Sequence, residues 1–294
     1  MSARRGRWLG AAMLAPAILY VAALVAVPFA MALLYSVSDI RVGSHGLRLA
    51  GLANFATVLE SPAFRKALVN SFLFTLCSQA LVLVGSTLLA LALKDAFRGR
   101  RLLRFVILLP WVAPVSLGAI GWKWILDSIY SVVSWVLVRL HLASANEAPM
   151  WLGEPRLAML SLILVHAWHM LPFATVILLA GWTAIPRDIP EAAEVDGAGF
   201  FRKLFQIELP MMRPIMSVAL LFGLIFTFTD MTVVYILTRG GPYDSTQVLP
   251  SLAFFTGILG GDLAQGAAIS IFLVPLLVAV VWTLLRSAHR AEVA

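Results

Sequence analysis

The chain has 294 residues, 61% of them apolar and only 13% charged, against roughly 25% charged in a soluble domain, so it reads as an integral membrane protein. Its one cysteine, Cys77, sits in an apolar run and excludes an intrachain disulfide framework or a multi-cysteine metal site. The net charge of +7 fits the arginine excess that orients membrane proteins, and no nucleic-acid partner is expected.

Runs of about 20 apolar residues are long enough to cross a bilayer. About six are predicted, over residues 8–35, 67–93, 102–126, 157–182, 215–237 and 264–285, giving an all-α polytopic fold in a single domain over 1–294. Arg4, Arg5 and Arg7 before the first run are similar to a signal-peptide start. The run is too long for a signal core and no small-residue cleavage site closes it, so an uncleaved first span with a cytoplasmic N-terminus is expected. Pro16 and Pro28 inside it are tolerable where neighbours satisfy the freed carbonyls.

From that start, Lys94, Arg98, Arg100, Arg101 and Arg104, then Arg187, Arg202, Lys203 and Arg213, then Arg286 and Arg290 fall on the cytoplasmic side. The opposite side holds Arg41, Arg48, Arg65, Lys66, Arg139, Arg156 and Arg239 on longer segments, so the positive-inside rule agrees and both termini are expected in the cytoplasm. The outer connections are a turn-rich loop over 43–54 and a stretch over 127–156 with room for a short interfacial helix carrying Trp135. No internal repeat is visible that would mark a repeat-built secondary transporter.

A polar island, residues 191–214, separates the fourth and fifth spans. Asp188 and Pro190 signal a helix start, Glu191 and Glu194 occupy its first turn, and Gly197 is the natural stop. A second amphipathic segment carries Phe201, Leu204 and Phe205 until Pro210 and Pro214, which are expected to prevent simple continuation. No G-x-x-x-x-G-K-S/T loop occurs, so ATP, if it drives the protein, is bound by another chain.

The island's pattern, Glu191-Ala192-Ala193, then Asp196-Gly197-Ala198, then Ile207 and Leu209-Pro210, resembles the EAA loop of bacterial ABC importer permeases. Gly51-Leu52-Ala53-Asn54-Phe55, Trp122-Lys123, Trp151-Leu152, Pro172-Phe173, Ile185-Pro186 and Leu237-Thr238-Arg239-Gly240-Gly241-Pro242 narrow the resemblance to carbohydrate-uptake permeases of the maltose and glycerol-phosphate type. The chain departs from them after Ile129, where a Gly and an Asn common in relatives are absent.

The resemblance implies a type I ABC importer permease fold in the bacterial inner membrane, with residues 186–214 as the coupling loop. Glu191, Ala192, Ala193, Asp196, Gly197 and Phe200 would meet an ATPase subunit. Implied partners are a second, homologous permease, two ATPase subunits that hold ATP and Mg, an external solute-binding protein and membrane lipid. This chain itself would carry no cofactor and would not be a stand-alone enzyme.

Asp230 stands at the centre of a predicted span, where a carboxylate costs about 2.5–3.5 kcal/mol and must face a cavity or a partner. Gly223, Thr227 and Asp230 share a helical face fit for sugar hydroxyls, while Lys123 is an alternative counter-ion for Asp230. His166 and His169 are three apart on the fourth span, with Phe173 near the same face. Counted from the loop, both groups fall where maltose-type relatives contact sugar, with Trp168 or Phe173 placed to stack on a ring. Helix packing is the plainer role for the histidines, a proton relay lacks a visible acidic partner, and no metal ligand set is expected. Three other readings stay open: an ABC importer of a non-sugar solute, an ion-coupled transporter using Asp230 and His169, and an intramembrane metalloenzyme built on His166, His169 and Asp230.

Overall fold

The computed structural model describes residues 13–44, 46–144 and 147–293, with side chains for all of these except 284, 285 and 287–293. Arg4, Arg5, Arg7, the first five residues of the expected first span and the Arg290 side chain lie outside the described residues. In chain order the helices are α1 (Met13–Ser36), α2 (Ala53–Glu60), α3 (Pro62–Lys94), α4 (Arg100–Val112), α5 (Val115–Ile125) and α6 (Val132–Arg139). There follow α7 (Pro155–Ala184), α8 (Asp188–Val195), α9 (Phe200–Thr229), α10 (Thr232–Leu237), α11 (Leu249–Leu259) and α12 (Leu263–Val293). Among the described residues the one β contact is an isolated antiparallel bridge between Ser38 and Leu49.

Five helices, α1, α3, α7, α9 and α12, are long and apolar enough to cross a membrane, and the bent pair α4–α5 makes a sixth if counted as one span. The straight third span expected over 102–126 is therefore corrected to two helices meeting at 95°. Ala113 precedes Pro114 and is forced out of the helical region (ψ 141°). Pro114 in turn has no N–H for the carbonyl of Pro110 four residues back.

Two expectations about the fifth span are corrected as well. Pro210 and Pro214 do not stop the helix that starts at Phe200, because a π turn, Leu204–Glu208, precedes them and Leu209 N–H already reaches back five residues to Leu204. At the other end the helix stops at Thr229, and Asp230, extended at φ −75° and ψ 121°, terminates it instead of standing mid-span.

One compact unit comprises the described residues up to Phe64 with Leu252–Val274. Asn54 Nδ2 donates to the carbonyls of Ser36 and Ser38 at 3.0 and 2.6 Å, and Phe55 and Phe64 pack on Phe272 with centroids 5.6 and 5.0 Å away. Arg41 pairs with Asp262 at 3.1 Å. The turn-rich loop expected over 43–54 gives way to α2 at Ala53.

The second unit, Arg65–Ser251 with the segment from Pro275 onward, is built around α7. Helix α7 is apolar around its circumference and more than half buried, while Leu160, Leu164 and Val176 remain exposed. It packs against α4, α5, α9 and α10, with Phe74, Leu162, Val233 and Val234 fully buried in the core. Helix α6 carries Trp135, and its Ser131 caps the start by accepting from Ser134 N–H at 3.1 Å. The 238–247 loop closes on itself through Thr238 and Thr246 (2.7 Å), and Asn70 Nδ2 donates to the carbonyl of Gln247 at 3.0 Å.

Candidate functional site

Helix α8 is short, polar and outside every span. Its end is a Schellman arrangement: Gly197 at φ +79°, Gly197 N–H on the Glu194 carbonyl at 3.0 Å, and Ala198 N–H on the Ala193 carbonyl at 2.9 Å. Ala193 faces inward and is buried, whereas Glu191, Ala192, Asp196 and Gly197 are exposed. Val195, Phe200 and Phe201 extend this surface with apolar groups 88%, 54% and 72% exposed. Glu194 bonds to Lys203 across the corner, and that hydrogen bond holds the Glu194 carboxyl below the usual carboxylate range.

Behind α8 lies a cavity of ≈ 690 Å3 whose lining includes Glu191, Glu194, Lys94, Trp182 and Glu208. Glu208 is only 4% exposed yet fully engaged. Lys94 Nζ donates to its Oε1 and Oε2 at 2.9 and 3.0 Å, and Trp182 Nε1 donates to Oε2 at 3.0 Å. These three side chains join the ends of α3 and α7 to the first turns of α9. Sequence reasoning missed the joint, counting Lys94 only among the orienting charges. The available signal was Glu208 itself, since Leu204, Glu208 and Met212 recur every four residues and all three are buried.

The other candidates fall into two neighbouring groups. Gly223, Thr227, Asp230 and His166 form one network with Gln79 of α3, which the sequence had not singled out. Thr227 Oγ1 donates to the Gly223 carbonyl (2.7 Å) and accepts from Gln79 Nε2 (2.6 Å) and His166 Nε2 (2.9 Å). With both lone pairs of Thr227 used, His166 Nε2 keeps its proton, and Nδ1 meets Asp230 Oδ2 at 3.0 Å. The hydrogen-bond partner of Asp230 is thus His166, and not Lys123. The other oxygen of Asp230 accepts from Thr232 N–H at 2.7 Å, two residues on, at the start of α10. Gly223 leaves room for Gln79, since a Cβ there would lie 2.8 Å from the Gln79 amide carbon.

His169 and Phe173 belong to the second group. His169 Nδ1 donates at 2.8 Å to the Pro110 carbonyl, the one left free by Pro114 at the α4–α5 bend. Trp111 stacks on Phe173 (4.8 Å between centroids) and lies 5.4 Å from His169, with Phe226 beside both rings. Phe222 and Phe226 leave this aromatic face partly open, 43% and 40% exposed. Trp168 turns instead to Trp122, 5.6 Å away edge-to-face. Among the described residues no group of three or more His, Cys, Asp or Glu is disposed to hold a metal ion.

Residues 82–291 match the family model described as "Binding-protein-dependent transport system inner membrane component". The chain is 35% identical over 221 residues, 75% of its length and 73% of the relative's, to the trehalose/maltose transport system permease protein MalF of Thermococcus litoralis. It is 31% identical to the sulfoquinovosyl glycerol transport system permease protein SmoG of Agrobacterium fabrum, over 95% of this chain and 90% of that one. Its fold matches a chain of a bacterial ABC transporter involved in the import of the acidic polysaccharide alginate, with a TM-score of 0.83 at 21% identity, covering 97% and 96% of the two chains.

Proposed function

The chain belongs to the family of binding-protein-dependent transport system inner membrane components, and from that premise we propose that it is the permease subunit of an ATP-driven importer for a sugar, polyol or glycerol-phosphate-like solute. The observation that carries the coupling part of this reading is α8. It is a short helix outside the spans, squared off by Gly197, with an acidic and apolar surface turned away from its own unit. Such a surface fits the cleft of an ATPase subunit, with Glu191 facing a basic group and Ala192 allowing close approach.

In the full assembly a second permease completes the pathway, two ATPase subunits hold ATP and Mg, and an external binding protein delivers the solute. Both termini and α8 face the cytoplasm, in keeping with the distribution of Lys and Arg. Closure of the ATPases brings the α8 helices of the two permeases together and turns the pathway outward.

The cargo class rests on two supports. Relatives covering most of the chain are named for trehalose or maltose and for sulfoquinovosyl glycerol. The aromatic face of Trp111, Phe173 and Phe226 suits the apolar side of a sugar ring, and the Asp230 network beside it would meet hydroxyl groups only once its own hydrogen bonds open.

Glu191→Lys tests the coupling. In proteoliposomes holding the complete complex it is expected to keep ATP hydrolysis and lose uptake; normal uptake would remove the assignment of α8. Asp230→Ala tests the cargo face, and unchanged solute affinity and uptake would remove that.

A further inference from the structure

The joint of Lys94, Trp182 and Glu208 has no role in the reading so far. We propose that these three are positioning residues of the coupling step, the fixed point through which displacement of α8 reaches α3 and α7. The inference rests on α8 being the surface that meets the ATPase.

Three observations carry it. First, Glu208 occupies a core position between Leu204 and Met212, where an apolar side chain would pack at no electrostatic cost. A buried carboxylate instead fixes where its partners stand, and here both oxygens are taken by donors from two other helices. Lys94 Nζ also lies 5.7 Å from the centre of the Trp182 ring, so each of the three side chains touches the other two.

Second, the route from α8 to the joint is short. Glu194 is clipped to Lys203, the residue immediately before the π turn, and the π turn ends on Glu208. Third, a single ≈ 690 Å3 cavity is lined both by Glu191 and Glu194 of α8 and by Lys94, Trp182 and Glu208 of the joint. Open space thus adjoins both, and the connected route for movement of α8 runs through the corner, the π turn and the Glu208 carboxylate.

Removing one hydrogen bond or one charge should loosen this route. Glu208→Gln keeps an acceptor while discharging the carboxylate. Trp182→Phe removes the indole N–H together with part of a buried ring, so its packing loss is read separately, from the melting temperature. Both variants are to be studied in the complete complex, with the second permease, the ATPases and the binding protein, in proteoliposomes. The readouts are ATP hydrolysed per solute imported and the melting temperature of the purified complex.

Both variants are expected to raise the ATP-to-solute ratio about threefold or more, the size of effect known for residues on a coupling route. A purely structural joint would lower the melting temperature and leave that ratio unchanged, which overturns the proposal. Glu191→Lys serves as the control. If it uncouples while Trp182→Phe and Glu208→Gln keep the wild-type ratio, the joint alone is refuted. If Glu191→Lys remains coupled, the reading of α8 has failed and the joint proposal falls with it. Should Glu208→Gln prevent assembly, Trp182→Phe decides.

Discussion

Replacing Gly197 by valine isolates the geometry of the α8 end from its chemistry. Gly197 holds φ +79°, and nothing lies within 4 Å of a Cβ built on it, so within this chain added bulk meets no obstacle. The cost is conformational: a left-handed residue with a side chain loses about 1–2 kcal/mol. That is about a 5- to 30-fold drop in the population of the Schellman-ended corner. Gly197→Asn adds comparable bulk but tolerates the left-handed region. In proteoliposomes holding the complete complex, Gly197→Val should cut uptake by about that factor while ATP hydrolysis continues, and Gly197→Asn should transport close to wild type. Valine transporting normally would refute the argument from handedness. Asparagine failing as badly as valine would refute it too, by locating the constraint in bulk at the docking surface.

Asp230→Leu strips both His166 Nδ1 and Thr232 N–H of their hydrogen-bond partner, and should cost about 1–3 kcal/mol for each buried group left unsatisfied. Asp230→Asn retains an oxygen for Thr232 and an amide for His166, so its melting temperature in detergent should stay well above that of the leucine variant; equal melting would contradict the network. His169→Phe orphans the Pro110 carbonyl at the α4–α5 bend and should cost about 1–3 kcal/mol. His169→Gln supplies a donor and should recover part of this, and a phenylalanine variant as stable as wild type would show that the carbonyl is satisfied otherwise.

Much of the frame was legible because hydropathy and helix punctuation are local. Five predicted spans overlap long apolar helices, the fifth only as far as Thr229, and Gly197 ends α8 as its sequence context required. The bend at Ala113 escaped because a window average does not register that Pro110 and Pro114 stand four apart, the spacing at which a missing N–H leaves a carbonyl free. The place of Asp230 escaped because the break lies in an apolar run, where Asp230 leaves the helical region and its side chain accepts from Thr232 N–H.

Candidate residues were legible as residues but not as partners. The four-residue recurrence of Leu204, Glu208 and Met212 marks a carboxylate on a buried stripe, yet its partner Lys94 lies 114 residues away. Likewise Gln79 is 148 residues from Thr227. Such pairings are set by how α3, α7 and α9 pack, which no single segment encodes.

The central claim is that this chain moves solute only as the membrane part of an ATP-driven, binding-protein-dependent machine. The direct measurement is uptake into proteoliposomes, using the solute that calorimetry on the external binding protein selects from a panel of sugars and polyols. The expected result is uptake that requires enclosed ATP, the ATPase subunits, the second permease and the loaded binding protein together. Uptake by vesicles holding this chain alone, driven by a proton gradient through His166 and Asp230, would contradict the account.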